Sequence, residues 1–185
     1  FYSDLGYLYQ EGVVTVINFR RYNASVNVDA EVTNTTKVSL DVRGRLAQQR
    51  NPAGRNGTAI FTDITEIAPT LPLKFANGLP AHTMLPSIYN SGYNRSTGNF
   101  LNAKFQVEQK LPFIPGLSLK GAFAYEKNNT LGKVWYTPYD FYSLDAQNSF
   151  ITQHGGPPSP TLSQSFAEEQ NITLQGYATY KQSFG

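Results

Sequence analysis

The sequence predicts an all-β protein, built as an antiparallel up-and-down segment of a transmembrane β-barrel with about six long strands. Three observations predict it: strict alternation of apolar and polar residues, strands about twice the usual five or six residues long, and connections that are alternately short and long. The chain has 185 residues, of which 14% are aromatic and 15% charged. A transmembrane strand needs only about 9–11 residues, with every second one apolar, so this composition suits it.

The clearest alternation lies between Arg21 and Arg50, in the stretch RYNASVNVDAEVTNTTKVSLDVRGRLAQQR. Apolar side chains occupy the even positions from Tyr22 and again from Val38, while amides, hydroxyls and charges occupy the odd positions. A period of two indicates strands with one apolar and one polar face. The sequence therefore predicts a long hairpin, with its turn at residues 33–36.

Four further strands follow from the same alternation, at residues 1–12, 99–111, 117–127 and 171–181. Residues 112–116, rich in proline, form a second short turn between two of them. The connections over residues 51–96 and 128–169 are long. In an up-and-down meander, this places the tight turns at one end of the sheet and the long loops at the other.

The first long connection is predicted to contain a helix, because Ile60, Ile64 and Ile67 recur at helical spacing after Thr58 as a cap. Pro69 would end that helix. A soluble β-sandwich also alternates, with one face in its core and one in water. However, loops of about 40 residues are unusual inside a compact soluble domain, whereas outer-membrane barrels combine long strands, short periplasmic turns and long extracellular loops.

In a barrel the apolar face meets lipid and the polar face lines the lumen. Because backbone groups in lipid must all be paired, the strands must close into a barrel. The residues predicted to face lipid are Val26, Val28, Leu40, Val42, Phe105, Val107 and Leu119. Those predicted to face the lumen are Asp29, Asp41, Arg43, Lys104 and Glu108. Tyr22 and Tyr125 at the loop end, and Tyr180 at the turn end, fit the aromatic girdles of such barrels.

No arrangement of residues predicts catalysis or a cofactor. The two histidines, His82 and His154, lie far apart in loops, and neither has a carboxylate at zinc-site spacing. Cysteine is absent, which excludes thiolate metal ligands and disulfides. The net charge of +2, without a lysine or arginine cluster in the sequence, argues against nucleic acid as a partner. We expect neither an enzyme nor a metal protein.

One loop segment carries candidate binding residues: Trp135, Tyr136, Tyr139, Asp140 and Tyr142, with Phe141 among them. Aromatic faces beside a carboxylate suit sugar rings, whose C–H faces stack and whose hydroxyls need hydrogen-bond partners. The alternative is that these residues pack the loop against its neighbours or against another protein.

Several segments together resemble a known family. SDLGYLYQEGVV, RRYNASVNVDAEVTNTTKVSLDVRGRLAQQRNP, SGYNRSTGNFLNAKFQVEQKLPFIPGLSLKGAFAYEKN and KVWYTPY are similar to the barrel region of SusC/RagA-type TonB-linked outer-membrane transporters of the Bacteroidetes. The segments occur in the family's order, and the similarity is weakest over residues 145–169.

The resemblance implies a 22-stranded barrel in the bacterial outer membrane, with a plug domain inside. It implies partners: a SusD-like surface lipoprotein as a lid, the TonB complex through parts outside this chain, membrane lipid, and an oligosaccharide or peptide as substrate. Residues 1–185 would then be a partial barrel, the middle piece of a longer polypeptide. Residues 55–95 and 130–145 would help form the ligand- and lid-facing surface. A secreted soluble β-sandwich that binds glycans is the alternative function.

Overall fold

The computed structural model describes residues 1–55 and 57–182. The elements in chain order are β1 (Tyr2–Glu11), β2 (Asn18–Glu31), β3 (Thr36–Asn51), α1 (Gly57–Glu66), α2 (Leu85–Tyr89), β4 (Gly92–Lys110), β5 (Leu117–Tyr136), β6 (Tyr139–Leu144), β7 (Phe150–Gly155) and β8 (Thr161–Tyr180). Within these described residues, no helix is long and apolar enough to cross a membrane.

Six strands form one open antiparallel sheet in the order β1-β2-β3-β4-β5-β8. Each strand pairs with its predecessor in the chain, apart from the small β6–β7 hairpin inserted between β5 and β8. The predicted all-β meander is therefore confirmed. Both predicted hairpins are present: β2 with β3, and β4 with β5. Their turns lie at the same end, because Lys110 donates from its backbone N–H to the carbonyl of Thr35 at 2.8 Å.

The strands are longer than the sequence predicted, and this is a correction. β4 begins at Gly92, β5 continues to Tyr136, and β8 begins at Thr161, so the predicted long loops over 51–96 and 128–169 are partly strand. Trp135 and Tyr136 are consequently the last residues of β5 and not loop residues. The alternation of apolar and polar residues stops before these strand ends. The strands continue beyond it because their inter-strand backbone hydrogen bonds do not require an apolar face.

The connections between the long strands have their own structure. The predicted helix is confirmed as α1, which begins at Gly57 and ends at Glu66, three residues before Pro69. Thr58 was wrongly predicted as its cap, because it lies within the first turn, and Ile67 follows the end of the helix. The short helix α2 and the β6–β7 hairpin were not predicted. α2 has a proline in its first turn, which fits a helix start, but it is too short to show a helical period.

The sheet has two chemically distinct faces, fixed by the cross-strand register. On the face here called the apolar face, one row across β2, β3, β4, β5 and β8 reads Val28, Leu40, Phe105, Phe123 and Leu174. On the opposite, polar face, Asp41 lies opposite Lys104, and Glu108 lies between Lys37 and Lys120. Opposite charges facing each other across strands stabilise a sheet. The predicted separation of the two residue sets onto two faces is confirmed.

The apolar residues of the apolar face form a band, here called the apolar belt, that crosses the sheet obliquely. On β3 the belt runs from Val38 to Leu46, and on β8 from Ile172 to Tyr180. The residues in register with Leu46 and Val38 on β8 are, however, Glu168 and Gly176, through β4 and β5. Both edges of the belt have thus moved four residues along the strand between β3 and β8.

This displacement measures the tilt of the strands against the belt. Four residues correspond to about 13 Å along a strand, and three strand spacings correspond to about 14 Å. Their ratio gives an angle of about 40° between the strands and the normal of the belt, with lengths taken from standard strand geometry. Strands of outer-membrane barrels are tilted by about 35–45°. In a soluble protein, nothing requires an apolar band to cross several strands at one constant angle.

Candidate functional site

The loop end of the sheet carries an ordered layer formed by residues 57–91 and 137–160, here called the loop layer. Its two parts contact each other directly. The backbone N–H of Tyr142 donates to the carbonyl of Pro80 at 2.9 Å, and the rings of His82 and Phe141 stack with centroids 4.4 Å apart. The predicted proximity of the two long connections is therefore present in the structure.

A small buried group fastens the loop layer to the strand ends. Ser91 is fully buried at 0% exposure, immediately before β4. Its hydroxyl donates to the carbonyl of Ser87 at 2.5 Å and accepts from the N–H of Gly54 at 3.3 Å. Its own carbonyl accepts from the N–H of Thr137 at 2.9 Å. Because one residue joins the ends of β3, β4 and β5, the loop layer is held in a defined position.

Two of the predicted site residues, Tyr136 and Tyr139, lie beside this buried group. Tyr136 faces Gly54, where an added Cβ would lie 3.2 Å from the phenol oxygen. Tyr139 is partly buried beside it, and burial raises the pKa of the Tyr139 phenol above its usual value, with a further contribution from neighbouring Tyr136. Arg55 acts in the opposite direction on that pKa and forms an ion pair with Asp63 of α1 at 2.9 Å. These residues pack the loop layer against the sheet.

The β6–β7 hairpin divides the remaining candidates between its two sides. Asp140 is paired in register with His154, and Oδ1 of Asp140 lies 2.7 Å from Nδ1 of His154. Both side chains are exposed, at 52% and 75% respectively. Tyr142, two residues along the strand, shares their side. Tyr139 and Phe141 occupy the other side, so the predicted cluster of aromatic residues around Asp140 is split.

Trp135 lies on β5 of the main sheet and not on the β6–β7 hairpin. It lies on the apolar face of the sheet, opposite Tyr93 and Leu162, ten residues beyond Tyr125 at the loop-side edge of the belt. Its side chain is 36% exposed. A residue on this face points away from the polar face, so Trp135 and Tyr136 lie on opposite faces of β5.

Two side chains in the loop layer were not predicted as site residues, namely His82 and His154. Their ring contacts join positions 59 and 14 residues apart, and no local sequence pattern marks such pairs. Across the described residues, no group of three or more metal-ligating side chains is brought together. The exposed Asp140–His154 pair and the stacked His82 ring offer hydrogen-bonding and stacking groups to a ligand.

No family model matches the chain. Over its whole length, in an alignment of 197 residues, the chain is 25% identical to TonB-dependent receptor P3 of Formosa agariphila. The chain covers 18% of that protein, so it spans less than a fifth of the length of the curated relative it matches. The recognition of a TonB-dependent receptor segment is confirmed by this alignment, while the narrower SusC/RagA type stays a prediction.

Proposed function

We propose that this chain is part of the barrel wall of a TonB-dependent outer-membrane receptor that imports a nutrient. The observation that carries the proposal is the apolar belt, which crosses the open sheet at the angle that strands take in a membrane barrel. In this arrangement the belt faces lipid, the polar face lines a hydrated or plugged lumen, and the loop layer lies at the extracellular mouth. Residues 1–185 all belong to the barrel, and the plug lies elsewhere in a longer polypeptide.

The alternative, a soluble glycan-binding sandwich, requires a second sheet packed on the apolar face. Within the described parts of the chain, the only other sheet is the two-stranded β6–β7 hairpin, and the belt is left open. Leu5 is 85% exposed and Leu174 is 76% exposed. Leaving such side chains in water forfeits about 1.5–3 kcal/mol each relative to burial. Lipid covers them without a second sheet.

The finer proposal is a transporter of the SusC/RagA type, working with a SusD-like lipoprotein and importing an oligosaccharide or peptide. Its support is the character of the loop layer, which exposes apolar side chains: Phe61, Ile64, Leu71, Leu73, Tyr89, Phe150 and Ile151. Contiguous exposed apolar surface is typical of interaction sites. A lid protein would cover this surface, and the Asp140–His154 pair would offer polar contacts to the substrate. The protein performs transport without catalysis.

Single-cysteine labelling in the full-length receptor tests the membrane assignment, because this segment has no cysteine of its own. Phe105→Cys and Gln106→Cys are adjacent positions on opposite faces of β4. A fluorophore on residue 105 should be quenched by brominated lipid, and one on residue 106 should be quenched by a soluble quencher. Equal lipid quenching at both positions, or none at either, would contradict the proposal.

The partner assignment needs a separate measurement. Purifying the full-length receptor through an affinity tag should recover a surface lipoprotein, and Phe61→Asp combined with Ile64→Asp should reduce its recovery. Thr62→Asp combined with Thr65→Asp, two exposed changes on the same helix, is the matched control for the two added charges. Recovery that is the same for both variants would count against the lid surface while leaving the membrane assignment intact.

A further inference from the structure

The apolar face carries a group of basic side chains without ion-pair partners in the described part of the chain, on the loop side of the belt. Arg50 on β3 lies directly opposite Arg95 on β4, and Arg95 lies directly opposite Lys133 on β5. Arg20 on β2 lies diagonally from Arg50, because Arg50 is in register with Asn18. These four residues are here called the basic row. They are distant in sequence and meet only through the register of four strands.

This arrangement is unfavourable without a counter-charge. Side chains directly opposite each other have Cβ atoms about 4.5–5.5 Å apart, and like charges at that spacing destabilise a sheet. Among the described residues, none of the four basic side chains forms an ion pair with a carboxylate. Glu11 is the nearest acidic residue in the register, opposite Asn18. The basic row therefore has an excess of positive charge on an exposed surface.

Two of the three arginine side chains lie over aromatic rings. The guanidinium of Arg20 lies over the ring of Tyr9 at 5.3 Å, and that of Arg95 lies over the ring of Tyr93 at 4.2 Å. The three arginines line a groove of about 260 Å³, together with Asn18, Gln48 and Thr97. Planar guanidinium groups bind phosphate through paired hydrogen bonds, and amides and a hydroxyl supply further donors. The groove has the size and chemistry for a phosphate-bearing headgroup.

The height of the basic row above the belt indicates where such a phosphate would come from. Arg20 lies two residues beyond Tyr22, and Arg50 lies four residues beyond Leu46, at the belt edge of their strands. With a strand tilt of about 40°, these offsets are about 5 Å and about 10 Å above the hydrocarbon. The headgroup layer of a bilayer is about 5–8 Å thick on each side. Arg20 thus lies within that layer and Arg50 lies just above it. Arg95, six residues beyond Leu101 on β4, lies about 15 Å above the hydrocarbon. Because long basic side chains extend along apolar surface towards the interface, the guanidinium groups of Arg50 and Arg95 can reach a headgroup from above, on the surface that faces away from the lumen.

We propose that the basic row binds the phosphorylated headgroup of a lipid in the outer leaflet of the membrane. This inference rests on the proposed function, which places the belt in the outer membrane. Basic side chains close to an anionic membrane surface each strengthen binding by about fivefold. The three arginines together contribute roughly a hundredfold. An acidic surface of another protein is the competing occupant, and the experiment separates the two.

The experiment uses the full-length receptor purified from outer membranes, with lipid A carrying two phosphates as the probe. Native mass spectrometry measures the affinity of the wild type and of the triple variant Arg20→Gln, Arg50→Gln and Arg95→Gln. The control triple variant, Arg43→Gln, Arg45→Gln and Lys104→Gln, removes three positive charges from the polar face. We expect roughly a hundredfold weaker binding for the first variant, near-wild-type binding for the control, and weak binding of lipid A after phosphatase treatment.

Any one of several results would overturn the inference. These are wild-type affinity in the first triple variant, equal loss in the control, equal binding of the dephosphorylated lipid, or displacement of lipid A by inorganic phosphate alone. Loss of a co-purified protein with lipid binding unchanged would assign the basic row to a protein partner and would also overturn it. If the wild-type receptor is missing from the outer-membrane fraction, the proposed function has failed instead.

Discussion

The effect of an arginine on the apolar face should depend on its depth in the belt. On β2 the loop-side edge is Tyr22, and Val26 lies four residues further, about 10 Å below that edge after correction for tilt. A band about 25 Å tall has its midplane near this depth. Val26→Arg should therefore cost about 2–4 kcal/mol of barrel stability. Val28 lies about 15 Å below the edge, as far beyond the midplane as Val26 is short of it, so Val28→Arg should hinder assembly about as much as Val26→Arg.

Asn27→Arg is the matched control, because it adds the same side chain between these two positions on the opposite face. The amide of Asn27 donates to Asp41 at 3.3 Å, so an arginine there would gain a carboxylate partner and should be tolerated. Unfolding of the full-length receptor by urea in vesicles of fixed lipid composition measures the three free energies. An equal loss for Val26→Arg and Asn27→Arg would refute the assignment of the two faces. A much smaller loss at Val28 than at Val26 would refute the tilt, because untilted strands would place Val28 about 7 Å beyond the midplane.

Three further predictions concern the loop end. Trp135→Ala should weaken binding of a partner on the outer face of the loop end, by about 2 kcal/mol for an aromatic anchor, without lowering the amount of assembled barrel; unchanged partner recovery, or failed assembly, would make it a packing residue. Gly92→Ala should disrupt the loop end of β4, since φ is 102° and a Cβ would lie 2.1 Å from the carbonyl oxygen of Trp135. Gly78→Ala, with φ of 85° in open space, should cost only about 1–2 kcal/mol of strain, and equal protease sensitivity of the two variants would contradict the close approach. Because the pKa of Tyr139 is raised by burial, the folded state keeps this proton longer than the unfolded state. Stability of the loop layer should fall as pH rises above about 10, Tyr139→Phe should lose that dependence, and an equal pH dependence of loop-layer stability in both proteins would count against the burial.

The local pattern was sufficient for the features that a two-faced strand or a tight turn imposes. A strand with one apolar face has every second side chain apolar, so the alternation from Tyr22 to Leu46 predicted the β2–β3 hairpin, the division of its residues between two faces, and its turn. The aromatic residues at the belt edges, such as Tyr125 and Tyr180, were visible for the same reason. These features depend on neighbours in sequence, which is why they could be predicted without coordinates.

Other features depend on which strands lie side by side. The ends of β4, β5 and β8 beyond the belt keep their strand conformation through inter-strand hydrogen bonds, so their sequence is free of the period that would mark them. Asp140 and His154 meet because the β6–β7 hairpin pairs them in register. The candidate residues were close in sequence, yet strand alternation placed Trp135 and Tyr136 on opposite faces of β5 and divided Tyr139 and Asp140 between the two sides of the β6–β7 hairpin.

The sequence by itself determined that the chain forms long two-faced strands, because the side-chain period of a strand is a local property. Only the tertiary structure decided the slant of the belt and the meeting of Arg50, Arg95 and Lys133. Both depend on the register of each strand against the next, which is set by hydrogen bonds between segments that are far apart in the chain. A shift of two residues in one pairing would keep every side chain on its face and still disperse the basic row.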